Sequence, residues 1–313
     1  MTAGERLAVD TELPWVGRLL TRALGGPVKS VREPTVWLRV QKKTTPFRCW
    51  GMRPVTRGAD SNGRRTLITN AGGSGFDLLV DLDDERLTVT ARYRPPMRTR
   101  AANLALRSRF ALLAGQVLVH YPVLWRAGWR GRVPLHAGVV RTPAGTPLIA
   151  GPGGVGKTRV LVGLLAAGQT EVTADNLCCA DVSCCFGLAE PLRTDLGSGR
   201  ATSHGRVERP LDGRVPALIP DRVVVLERGP RTEVSAIKPD EAARALVAGT
   251  YAAGELRRYW AFAATLALAT GMGPAHPPVA EIAAEYADRL PCLRVRVGDG
   301  AAVPATLLCG GAG

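Results

Sequence analysis

An α/β layer fold preceded by a mostly β region is what the order of elements predicts. Three observations carry it. Strand and helix patterns alternate through residues 131–313, and a glycine-rich turn at 151–156 separates an apolar strand from a helix. Residues 1–130 instead hold alternating strand patterns around an opening helix and a linking helix. The chain has 313 residues, 46% hydrophobic and 22% charged, which excludes a disordered tail and a coiled coil.

The opening helix is expected over Trp15 to Leu24, where apolar residues recur at helical spacing before Gly25-Gly26. Strands are expected at Val36 to Val40, Phe76 to Leu82 and Leu87 to Tyr93, the last two joined as a hairpin through Asp83-Asp84-Glu85. Ala101 to Tyr121 reads as a helix closed by Pro122. No residue of this region carries recognisable chemistry.

In the second half, Leu135 to Arg141 and Thr146 to Ala150 are expected strands joined by Thr-Pro-Ala-Gly. A helix after Lys157 places Leu161, Leu164 and Leu165 on one face and ends at Gly168. Val172 to Ala174 and Leu177 to Ala180 flank Asp175 as β segments, and Val223 to Leu226 has the continuous apolar run of a buried strand. Pro239-Asp240-Glu241 opens a further helix, Val279 to Leu290 reads as another, and Leu293, Val295 and Val297 alternate in a closing strand. The longest uncharged run, Tyr259 to Ala280, is broken by Gly271, Gly273, Pro274, Pro277 and Pro278, so its helix stops near Thr270 and no bilayer span is expected. The first fifteen residues carry acids where a secretory signal carries bases and an apolar block, so a cytoplasmic protein is expected.

The formal charge is +14, with a pI near 10.2. Only five of the 41 basic residues are Lys, a skew that matches GC-rich coding as well as selection for charge. Nucleic acid is therefore disfavoured as a partner, and an acidic ligand such as ATP or an acidic peptide is the better use of the excess. Nine Arg and no acid lie between Arg92 and Arg132, read either as a solvated face or as a guide surface for an acidic substrate. Cys178-Cys179 and Cys184-Cys185 lack C-x₂₋₄-C zinc spacing and read as small apolar residues of a hairpin, with a metal or redox role as the alternative.

The chemistry concentrates at Gly151-Pro152-Gly153-Gly154-Val155-Gly156-Lys157-Thr158, a full G-x-x-x-x-G-K-[ST] match between strand and helix. Glycines let backbone N–H groups curl round a phosphate, and the helix N-terminus adds partial positive charge. Lys157 is expected at the β- and γ-phosphates of ATP, and the Thr158 hydroxyl on Mg²⁺. His136 lies on the strand upstream, and Thr-Ala-Asp175-Asn176-Leu follows the helix, bringing Asp175 toward the same strand ends.

His136 in its hairpin, GPGGVGKT, a short helix and then AD175N together resemble HPr kinase and its relatives, P-loop kinases with a phosphoenolpyruvate carboxykinase-like fold. These include kinases of precursor peptides in bacterial natural-product pathways. The resemblance spans about residues 132–300, with sharp motifs in its first third. It implies that Asp175 accepts the proton of a substrate hydroxyl, that His136 sits beside it, and that Lys157 serves the transferred phosphate. The implied activity is ATP- and Mg²⁺-dependent phosphorylation of a Ser or Thr in a peptide or small protein. The sequence itself leaves the oligomeric state open, while the resemblance implies that a homo-oligomer is possible.

The family's second acid is replaced by Asn176, which still offers an amide oxygen to Mg²⁺ but no charge. Gly153-Gly154 stands where relatives carry Ser-Gly. Glu190-Pro-Leu-Arg193 offers an acid to the metal or a guanidinium to a phosphate. Each residue also has a plainer reading: Asp175 as a turn former, His136 as a core histidine, Arg193 as a surface or structural residue. His120, His204 and His276 read as structural or loop residues. Two other functions compete with the kinase: a nucleotide-binding regulatory module without phosphotransfer, and an NTPase that uses water as acceptor.

Overall fold

The computed structural model describes every residue except 28–30, 84, 169, 195–199, 202–205, 299–302 and 311–313. His204 and Asp84 therefore lie outside the described residues. The chain is mixed α/β. Its N-terminal sheet has seven strands in the order Leu7–Thr11, Val36–Gln41, Leu87–Tyr93, Phe76–Leu82, Arg65–Ile68, Ala59–Ser61, Arg53–Thr56. The first three are mutually parallel and the rest antiparallel. A strand thus precedes the opening helix, which runs Pro14–Ala23 with a proline in its first turn. The strands between Arg53 and Ile68 carry little apolar alternation because they lie toward the sheet edge, where Pro54 is tolerated.

The linking helix differs from the sequence expectation. Pro122 does not close it. Helices Met97–Ala105 and Arg107–Gly115 are followed by a wide turn, Gln116–His120, and then by Tyr121–Gly128. The Tyr121 N–H donates to the Gln116 carbonyl, one residue beyond the usual helical bond. That register shift makes Pro122 an early residue of a new segment, where a missing N–H costs little.

The second half is built on six strands in the order Glu171–Ala174, Gly138–Arg141, Pro147–Ala150, Arg222–Arg228, Cys292–Val297, Glu233–Ala236. Pro147–Ala150, Arg222–Arg228 and Cys292–Val297 are parallel, and Gly138–Arg141 runs against both its neighbours. Both faces are covered. Leu148, Ala150, Val223 and Val225 pack with Leu246, Ile282 and Tyr286 of helices Pro239–Ala252 and Val279–Arg289. The alternate residues Ile149, Val224 and Leu226 pack with Val160, Leu161 and Leu164 of helix Lys157–Ala166. This two-sided burial explains the unbroken apolar run at Val223 to Leu226.

The expected strand Leu135 to Arg141 is split. Val133–Leu135 belongs to a separate four-stranded sheet with Cys178–Ala180, Cys185–Gly187 and Ala217–Leu218, and the chain bends at His136-Ala137. The paired cysteines lie on the Cys178–Ala180 and Cys185–Gly187 hairpin, where Cys178, Cys179 and Cys185 are buried free thiols. The two halves share a core: Leu256, Tyr259, Phe262 and Leu266 pack among Leu38, Leu78, Val89 and Leu118. Among the described residues no helix is long and apolar enough to cross a membrane.

Candidate active site

The glycine loop leaves strand Pro147–Ala150 and enters helix Lys157–Ala166. At Gly151 a Cβ would lie 2.8 Å from the Leu226 carbonyl of the neighbouring strand, and its φ is +148°, so only glycine fits. Gly156, with φ +114°, stands at the N-cap of the helix and makes no side-chain cap bond to its first-turn N–H groups. Lys157 is buried and folds back over the loop, its amine donating to the Gly151 carbonyl at 2.7 Å and to the Pro152 carbonyl at 3.3 Å. Burial pulls its pKa down to about 8, against the opposing pull of Asp175 and Glu255. The Arg228 guanidinium donates to the Gly154 carbonyl at 2.8 Å, fixing the far side of the loop.

Asp175 follows strand Glu171–Ala174, which is separated from the loop strand by Gly138–Arg141 rather than adjacent to it. Two successive antiparallel pairings give the Asp-bearing and loop strands the same direction, so Ala150 and Ala174 end on one side of the sheet. There the Thr158 hydroxyl donates to Asp175 Oδ2 at 2.9 Å. Asp175 Oδ1 is buried and has no hydrogen-bond partner among the described residues. Burial pushes the Asp175 carboxyl up to about 6, while the Thr158 bond and the charges of Lys157, Arg193 and Arg206 act in the opposite direction.

His136 is buried where its strand bends. Its backbone N–H donates to Thr250 Oγ1 at 3.0 Å, and its ring Nδ1 lies 3.0 Å from the Gly249 carbonyl. The Gly249 carbonyl and the Asn176 amide oxygen both only accept, so a neutral ring donates to one of them at a time. Ring Nε2 lies 2.7 Å from Asn176 Oδ1, and the amide's Nδ2 donates to Glu255 Oε1 at 3.1 Å. Asn176 is thus clamped between His136 and Glu255. Burial first, and Lys157 second, hold His136 below the ordinary imidazole range.

Arg193 is not a surface residue. Its side chain is 18% exposed and ion-paired to Glu190 at 3.5 Å and Glu208 at 3.3 Å. Glu190 is 4% exposed, and burial pushes its carboxyl up to about 7, with Asp175 and Glu255 adding repulsion and Arg193 opposing it. Its Oε1 has no partner among the described residues. A cavity of about 430 Å³ lies against Glu190 at the seam with the N-terminal sheet, lined also by Leu7, Leu24, Pro27, Arg214 and Val215. It is not lined by the glycine loop.

Lys157, Thr158, Asp175, Asn176 and His136 are therefore brought together as one hydrogen-bonded and electrostatic cluster. Arg193 joins it through charge, and residues 151–156 form the loop beside it. Sequence reasoning missed Glu255, Gly249 and Thr250, which reach His136 and Asn176 from the end of helix Pro239–Ala252 and the turn after it. No motif marks them. Glu255 is one acid in Gly-Glu-Leu-Arg-Arg, with nothing local to tie it to Asn176, 79 positions upstream. His120 is a buried structural histidine whose Nε2 lies 3.1 Å from the Ala189 carbonyl, and burial pulls its pKa down to about 4.

The donor set suits a hard divalent cation. Thr158 offers a hydroxyl oxygen, Asn176 an amide oxygen, and Asp175 Oδ1 is a buried carboxylate oxygen without a partner among the described residues. Among the described residues no three His, Cys, Asp or Glu gather into a cluster able to hold a metal by themselves. A divalent cation held here would therefore draw on a hydroxyl and an amide oxygen besides the Asp175 carboxylate. No protein-family model and no curated protein matches the chain.

Proposed function

We propose that this chain is an ATP- and Mg²⁺-dependent kinase that transfers the γ-phosphate to a hydroxyl, Ser or Thr, of a peptide or small protein. A core of the HPr kinase and phosphoenolpyruvate carboxykinase type is part of the same reading. The observation that supports it best is the Thr158–Asp175 bond, which sets a buried carboxylate against the end of the glycine loop. A carboxyl held near pH 6 is ionised at neutral pH yet basic enough to take a proton.

In this mechanism the loop N–H groups and the positive end of helix Lys157–Ala166 bind the β- and γ-phosphates. The Lys157 amine leaves the Gly151 and Pro152 carbonyls to reach them, carrying positive charge to the transferred group. Thr158 and Asn176 would hold Mg²⁺, which would supply positive charge to the transferred phosphate. Asp175 accepts the hydroxyl proton as the acceptor oxygen bonds to the γ-phosphorus and the bond to the ADP oxygen breaks. His136, fixed through Gly249, Thr250 and Asn176, lines the acceptor side. Catalysis here is mostly positioning and charge neutralisation.

The test is ATP turnover with and without Ser-containing acidic peptides. Phosphopeptide formed in step with ADP is expected. Steady phosphate release that ignores the peptide would favour the NTPase, and nucleotide binding without turnover would favour a regulatory module. Lys157→Ala should abolish transfer while leaving the fold intact.

A further inference from the structure

Helix Met97–Ala105 is turned inside out relative to an ordinary surface helix. It has no buried residue. Its half-buried residues are the polar Thr99 and Asn103. Asn103 ties the helix to the rest of the chain, its amide donating to the Ser74 carbonyl at 2.9 Å and to the Tyr93 hydroxyl at 3.2 Å. Met97, Ala101 and Leu104, spaced four and three, form one line on the opposite side. All three are exposed, Met97 to 81% and Leu104 to 63%. Surface helices turn such a stripe to the core, where burying a Met or Leu side chain is worth about 1.5–3 kcal/mol. A helix this short is also marginal in water by propensity alone. An apolar line that faces outward is therefore half of an interface.

Spacing of four and three is that of the seam between paired helices, and the positions that flank this seam are Arg98 and Arg100. Both are exposed and take part in no ion pair among the described residues. The same holds for Arg107 and Arg109 at the start of the next helix, Arg107–Gly115. No acid occurs in the chain between Glu85 and Glu171, and Asp77, on strand Phe76–Leu82, is committed to Arg94 at 2.6 Å.

We propose that the Met97–Ala101–Leu104 face is a docking site for an acidic amphipathic helix of a partner polypeptide. The partner's apolar stripe covers the line, and its Glu or Asp residues meet Arg98 and Arg100. Charge selects this occupant. A second copy of the chain would bring the same four arginines to the interface and no acid to meet them. A membrane surface asks for a broad apolar face with the cations gathered on the other side, whereas here arginines close in on both sides of a narrow stripe. The proposal does not rest on the kinase reading, since neither nucleotide nor the glycine loop enters it.

The probe is an acetylated, amidated peptide of three repeats of Leu-Glu-Gln-Glu-Leu-Ala-Gln, which copies the spacing of the face with Glu where the chain has Arg. Its affinity for the full chain, without ATP, is compared with that of the same peptide carrying Gln for every Glu. The Glu peptide should bind about tenfold tighter or more, and its affinity should fall severalfold between about 50 and 200 mM salt. Met97→Ser combined with Leu104→Ser should lose the binding and, because both side chains are exposed, keep the wild-type denaturant midpoint. Arg98→Glu combined with Arg100→Glu should move the preference to a peptide carrying Lys for every Glu. Equal affinity for the Glu and Gln peptides, binding that survives the paired Ser changes, or no binding of the Glu peptide would overturn the assignment. A lowered midpoint in the Met97→Ser, Leu104→Ser variant would do the same, by making the stripe part of the chain's own packing. So would a dimer in sedimentation that this variant loses, which would make a second copy the occupant. Binding to phosphatidylglycerol vesicles and not to the peptide would give the face to a membrane surface instead. With no nucleotide present, none of these results bears on the kinase reading.

Discussion

At the scale of single residues, Asp175 combines burial, a hydroxyl donor and nearby cations, and burial wins. Its pKa moves from 3.8 to about 6 on folding, so between those values the folded chain holds a proton that the unfolded chain has released. Stability from this group is therefore fully present below pH 3.8 and is lost as pH rises through about 6. Asp175→Asn removes the loss, so its melting temperature should gain on wild type as pH rises from 4 to 7. The gain should level off above that, corresponding to on the order of 2–3 kcal/mol. A difference that stays flat from pH 4 to 8 would show that the carboxyl titrates as an ordinary surface acid. Lys157, Thr158 and Asp175 were legible in the sequence because a phosphate loop needs fixed residue types at fixed spacing. Glu255 and Thr250 were not, because their partners Asn176 and His136 lie 79 and 114 positions away and an isolated Glu or Thr has no local signature.

Among the elements, the strands that bury alternate faces were readable, and those at edges or bends were not. Val223 to Leu226 advertises its burial by being apolar throughout, whereas residues 53–68 contain Pro54, Gly58 and Gly63 and form strands only because the sheet beside them supplies partners. The linking helix continues past Pro122 because the wide turn at Gln116–His120 changes the hydrogen-bond register, which residue periodicity does not reveal. One tight crossing ties the elements to the site. Gly187, on the Cys185–Gly187 strand, lies so close to the Thr173 carbonyl that a Cβ would overlap it. Backbone must move to admit one, and Thr173 is two residues from Asp175. Gly187→Ala should cost about 1–3 kcal/mol in denaturant unfolding and lower transfer as well. An unchanged midpoint would mean that the crossing is looser than its geometry implies.

For the molecule as a whole, the +14 charge is only partly committed. Of the nine arginines between Arg92 and Arg132, Arg94 pairs with Asp77, while Arg130 and Arg132 pair with Glu5. Arg92 lies over Phe47 and Arg126 over Trp129. Arg98, Arg100, Arg107 and Arg109 are exposed and in no ion pair among the described residues, on helices Met97–Ala105 and Arg107–Gly115. The guide-surface reading therefore narrows to these four. If they steer an acidic acceptor, KM should rise severalfold between about 50 and 200 mM salt with kcat little changed, and Arg→Gln at all four should flatten that dependence. A salt-independent KM in the wild type would return them to a solvated face. The most direct measurement on the whole mechanism is Asp175→Asn assayed for both nucleotide affinity and phosphoryl transfer, with and without Mg²⁺. A base that acts only as the hydroxyl attacks the phosphorus should matter to transfer and not to binding. Nucleotide affinity within a few-fold of wild type, with transfer lowered about 10² or more, is the expected result. Transfer at near wild-type rate by a variant that binds nucleotide normally would contradict it.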